Sequence, residues 1–206
     1  MKGLIYKDLL NMKTYVRTII LIAVMYVAIS ILTDGGGTLA SMLVFIFAFF
    51  PIATFSYDNY SKWDNYSTSF PITRDKIVLS RYLVSILFSV IGVILYLAVI
   101  IAVSLKTGNP ITQEGWLQFL AMVSSSLLFT SVLMPVVYKW GVDKGRIVLM
   151  AAFILIFIAV FLLGRLNMLP EESIMLLVLK LLPVVAAFAL LISFALSISI
   201  FRRREL

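Results

Sequence analysis

Residues 56–81 read SYDNYSKWDNYSTSFPITRDKIVLSR, from Ser56 to Arg81, the one long polar passage lying wholly between two hydrophobic runs in an otherwise apolar chain. It carries Tyr57, Tyr60, Trp63 and Tyr66, then Phe70 and Pro71, then Arg74, Lys76 and Arg81 within eight residues. Aromatic anchors inside a polar rim are the composition of a protein docking site, and equally of an interfacial belt at a membrane face. Pro71 ends one helix and Thr73 can cap the next. Arg74 and Lys76 then fall in a first helical turn, where cations oppose the helix dipole. Something negative is expected to offset them, either lipid phosphates or acidic groups on a partner.

Outward from this stretch the chain is too apolar for a soluble domain. Hydrophobic residues make up 62% of its 206 positions, against about 45–50% in soluble proteins, and the mean hydropathy is +1.08. The expected class is an all-α polytopic membrane protein, a single transmembrane domain over residues 1–206. At about 20 residues per crossing, little chain is left for a soluble catalytic domain.

The missing residues exclude most chemistry. There is no cysteine and no histidine, which removes disulfides, thiolate nucleophiles, the usual general base near neutral pH and the commonest metal ligands. Gly35, Gly36 and Gly37 are not followed by Lys-Ser/Thr, so they mark a tight external turn rather than a phosphate loop. Glu171-Glu172 resembles the start of the paired-glutamate motif of one class of intramembrane proteases, but position 176 is Leu176 and the histidines are absent. The chain is expected not to be an enzyme and to hold no metal or cofactor. Spans one to five carry no ionisable group in their central turns, so an ion-driven carrier lacks its coupling residues.

In chain order, residues 1–17 place Ile5, Leu9, Met12 and Val16 on one helical face bordered by Lys2, Lys13 and Arg17, as in an amphipathic helix lying on the membrane surface. Spans follow at 18–32, 39–55 (with Pro51 expected to kink or loosen its end), 77–105, 116–138 and 147–163. The fourth contains Ser124, Ser125, Ser126, Thr130 and Ser131, small enough to allow close helix packing or to line a path, packing being the preferred reading, and the loop Lys139 to Arg146 after it is short and basic. The last apolar run, Ser173 to Phe201, would be about 43 Å long as one helix. It divides at Lys180 and Pro183 into a short outer-leaflet helix, 173–182, and a sixth span, 183–201. The other reading is one tilted, kinked helix with Lys180 snorkelling outward. Lys180 and Pro183 are candidates for an outer gate or anchor.

With six spans the loops alternate sides, and the cations do not. Lys2, Lys7, Lys13, Arg17, Lys62, Arg74, Lys76, Arg81, Lys139, Lys144, Arg146 and Arg202 to Arg204 fall on one side, fourteen of the 17 Lys and Arg residues. Lys106 and Arg165 fall on the other, and Lys180 lies in the final run. This bias places both termini and residues 56–81 in the cytoplasm. It accounts for the net charge of +7 without a nucleic-acid partner.

A basic N-terminal helix beginning MKGLIYKDL, six spans and a loop reading KWDNYSTSFPITRDKIVLSRYL together resemble the small bacterial permease subunits of type 2 ATP-binding-cassette (ABC-2) exporters. The resemblance is concentrated in Trp63, Phe70-Pro71, Arg74, Ile77-Val78 and Ser80-Arg81-Tyr82. It implies a dimer of permease subunits, homo- or heteromeric, in the bacterial cytoplasmic membrane. It also implies a separate cytoplasmic ATPase that binds the ATP, and a coupling helix at 57–69. The docking residues it implies are Tyr57, Tyr60, Trp63, Asp64, Tyr66, Phe70, Pro71 and Arg74. The expected function is export of hydrophobic or amphipathic cargo such as a peptide toxin, bacteriocin, other antimicrobial peptide, antibiotic or lipid. The alternative is a membrane scaffold or immunity-type protein.

Overall fold

The computed structural model describes residues 2–32, 36–63, 73–108, 110–166 and 172–203. Its elements are α1 (Lys2–Leu32), α2 (Gly36–Phe49), α3 (Pro51–Tyr60), α4 (Arg74–Thr107), α5 (Gln113–Arg165) and α6 (Glu172–Arg203), with no strand among the described residues. By length and composition, four helical stretches among the described residues suffice to cross a membrane, or five when the bent α1 counts as one.

α1 consists of two straight pieces, Gly3–Lys13 and Tyr15–Ser30, set at 66° to each other. Leu4, Asp8 and Met12, spaced four apart on one face, are buried, while Leu9 and Val16 remain exposed. The change from α2 to α3 falls at Pro51, which has no N–H to continue the helical ladder. The Phe50 N–H instead closes a tighter turn on the Phe47 carbonyl at 3.3 Å. α2 lies close along α4 because Gly92 has no side chain: a Cβ there would stand 2.8 Å from the Phe47 Cβ.

α5 doubles back on itself. Gly141, with φ 79° and ψ 176°, is non-helical inside an otherwise helical path of 53 residues. In a straight helix Phe129 and Phe153 would be separated by about 36 Å, yet their ring centroids are 6.0 Å apart. Nearer the turn, a Cβ on Gly145 would stand 3.3 Å from Val137. Both pairs are symmetric about Gly141, so the two arms run antiparallel and side by side. Where the sequence suggests a loop from Lys139 to Arg146, one residue makes the reversal, because only glycine adopts that backbone conformation without strain.

α6 packs mainly on α5 and runs as one helix through Lys180 and Pro183, where the sequence suggests a division. Proline costs the helix one hydrogen bond, which neighbouring helices in a membrane tolerate. Lys180 is exposed and Pro183 half-buried. The second arm of α5 is apolar all round and largely bare, with Leu155 67% and Phe157 72% exposed. A surface of that kind is stable against acyl chains rather than water.

Candidate functional site

α3 buries Pro51, Ile52, Thr54, Phe55 and Asp58 on one face. Asp58 therefore carries a carboxylate into the interior at the helix's last turn, only 3% exposed. Two cations from distant segments meet it. The Lys7 ammonium, from the first piece of α1, donates to both carboxylate oxygens at 2.9 and 2.7 Å. The Arg81 guanidinium, from α4 and also buried, donates to one of the same oxygens. Lys7 also lies 3.1 Å from the buried Asp8 carboxylate, so two cations and two anions balance.

Aromatic rings close the cluster. The Lys7 ammonium sits 4.3 Å from the Trp63 ring centroid, and the Arg81 guanidinium 4.2 Å from that of Phe55. Such contacts between a cation and a ring face strengthen when water is excluded. The result is a joint tying the end of α3 to α1 and α4. A buried ionic group of this kind adds little net stability but penalises the loss of any member, because the remaining charge is left unpaired.

The first turn of α4 is held against the end of α6. Arg74 Nη1 donates to the carbonyl oxygens of Phe201 and Arg202, at 3.3 and 2.8 Å. Arg202 donates back to the Asp75 carboxylate, its Nε at 2.8 Å. A cation at a helix C-terminus and an acid at a helix N-terminus both complement the backbone dipoles. The negative groups expected to offset Arg74 include carbonyls of this chain's own last helix. Thr73 stands at the start of α4 without a side-chain capping bond, its carbonyl instead accepting from the Lys76 N–H at 3.0 Å.

One position beyond Arg81, Tyr82 enters a polar chain across three helices. Ser193 Oγ donates its only proton to the Ser131 carbonyl at 2.6 Å. Tyr82, 2.6 Å from Ser193 Oγ, must then donate to it, and Ser197 at 2.8 Å donates to Tyr82. Ser124, Ser126, Thr130 and Ser131 are buried, and each hydroxyl bonds a carbonyl of its own helix. They support packing rather than a polar path.

The candidate docking residues occupy different surroundings. Tyr60 is 91% exposed at the end of α3. Tyr57 is half-buried, edge-on to Tyr15 at 5.7 Å; Trp63 and Arg74 are half-buried in the contacts just described. Asp64, Tyr66, Phe70 and Pro71 lie outside the described residues. Asp58 and Lys7 were not singled out from the sequence, although a signal existed. Asp58 continues the spacing of Pro51, Ile52, Thr54 and Phe55, and an acid on an apolar stripe demands a cationic partner.

The chain matches a protein-family model, described as "ABC-2 family transporter protein", over residues 3–202. No curated protein and no solved structure matches it.

Proposed function

We propose that this chain, which belongs to the ABC-2 transporter family, is the membrane-spanning permease subunit of an ATP-driven exporter, receiving motion from a separate cytoplasmic ATPase. In this reading the bilayer is crossed six times: by the second piece of α1, by α2 with α3, by α4, by each arm of α5 and by α6. The reversal at Gly141 supports counting α5 twice, and the charge bias supports cytoplasmic termini. The first piece of α1 would lie along the cytoplasmic interface.

The observation that carries the coupling proposal is the Lys7–Asp58–Arg81 cluster. Force applied at the exposed Tyr60 end of α3 would reach α1 and α4 through a buried joint that cannot slip cheaply. The chain itself would neither bind nor hydrolyse ATP. Two permease subunits, driven by paired ATPases, would rock to open a path for hydrophobic or amphipathic cargo.

The test is co-expression with the ATP-binding-cassette ATPase encoded nearest to this chain, followed by co-purification. A stable complex is expected, with ATPase stimulation and export both reduced by Tyr60→Ala, a change at an exposed side chain that leaves the fold intact. If no ATPase associates, the exporter reading fails and a scaffold or immunity role replaces it. A complex indifferent to Tyr60→Ala and Trp63→Ala would remove the docking assignment alone.

A further inference from the structure

A groove runs between α2 and the second arm of α5. It opens beside Arg146, is walled by Ile46, Phe49, Leu149, Met150 and Phe153, and encloses about 390 Å³. Leu149 and Phe153 also line an adjoining cavity of about 300 Å³, which continues to Leu128 and Ile156. The slot beside Arg146 is apolar except for that residue at its mouth, and the adjoining cavity has Ser125 along its wall. From Arg146 to Phe153 the slot follows seven residues of helix, about 10 Å, which falls within one leaflet of a ~30 Å hydrocarbon core.

The charge at the mouth points to the occupant. At the mouth, Arg146 is exposed and gives one N–H to Ser56 Oγ at 2.8 Å. A guanidinium has five N–H donors, which leaves a fork suited to phosphate. Lys139 and Lys144 are exposed on the same hairpin end, with Asp143 as the one acid between Lys139 and Arg146, so the surroundings favour a net negative headgroup.

We propose that the slot binds one acyl chain of an anionic phospholipid, from the leaflet at the chain's basic face, with the phosphate on Arg146. The inference needs only that the chain lies in a bilayer, and stands whether or not the protein exports anything. An anionic lipid held there would bridge α2, the start of α3 and the α5 hairpin.

The test uses the full chain reconstituted in bilayers carrying tracer photoactivatable phosphatidylglycerol or, separately, photoactivatable phosphatidylcholine, with labelled peptides mapped. Phosphatidylglycerol is expected to label the peptide containing Met150 and Phe153 about fivefold more than phosphatidylcholine, the worth of one interfacial cation against an anionic lipid. Arg146→Ala should erase that preference and Arg146→Lys should keep most of it. Equal labelling of the unmodified chain by the two probes would overturn the proposal without any variant. So would a Met150→Cys chain, otherwise free of cysteine, that cross-links to its own copy on oxidation in the membrane, because a second subunit would then cover the slot.

Discussion

Lys7 and Asp58 stand 51 residues apart, yet the Lys7 ammonium lies within hydrogen-bonding distance of both Asp58 carboxylate oxygens, at 2.9 and 2.7 Å. With Arg81 on the same carboxylate, the contact turns three segments into one joint. Asp58→Ala should leave one buried positive charge uncompensated, since Asp8 remains beside Lys7, and cost about 3–5 kcal/mol, read as a lower unfolding midpoint of the purified protein. Adding Arg81→Leu should recover part of that loss while leaving any coupling impaired. An Asp58→Ala protein as stable as the parent would show that the cluster is hydrated rather than buried.

Gly141→Ala tests the hairpin. Nothing lies within 4 Å of the Cβ it would add, but φ is +79°, so the whole effect should come from backbone strain of about 1–3 kcal/mol. Gly3→Ala, also in open space but without a positive φ, is the control expected to be neutral. Equal unfolding midpoints for the two variants would contradict the reversal at Gly141.

Gly92→Ala should drive α2 from α4, since the new Cβ would meet the Phe47 Cβ at 2.8 Å and the Val44 Cα at 3.3 Å. A loss of about 1–3 kcal/mol is expected from overpacking. Phe47→Leu should not rescue it, because the clash involves the Cβ that both residues share. Rescue would mean that the ring, and not helix proximity, sets the limit.

Tyr82→Phe should cost about 1 kcal/mol or less, the scale measured for hydrogen bonds inside membranes, by removing the hydroxyl that links Ser197 to Ser193. Ser193→Ala should cost more, since it also frees the Ser131 carbonyl. Thermal unfolding of both variants checks the order, and the reverse ranking would refute the donor sequence assigned to this chain of hydroxyls.

The proposed six crossings are accessible to side-specific labelling, because the chain has no native cysteine. Ser61→Cys and Lys144→Cys should react with an impermeant reagent from the same face, and Thr112→Cys from the opposite one. Labelling of Lys144→Cys and Thr112→Cys from one face would show that the first arm of α5 does not cross.

The apolar runs, their order and the one-sided distribution of cations were legible in the sequence because hydropathy and charge act through local composition. The family resemblance was legible as well, and the match over residues 3–202 agrees with it. Tertiary structure alone decided which charges meet. Arg81 is legible as a cation of the polar stretch, but its partner Asp58 and their shared neighbour Lys7 depend on how α1, α3 and α4 pack. A first-turn Arg74 calls for an acidic partner or lipid, and packing supplies it with the carbonyls at the end of α6. A loop was expected around Lys139 to Arg146, yet one positive φ at Gly141 reverses the helix. Composition over about 20 residues decides whether a segment enters a bilayer, whereas a buried ion pair is decided by two side chains brought together from remote parts of the chain.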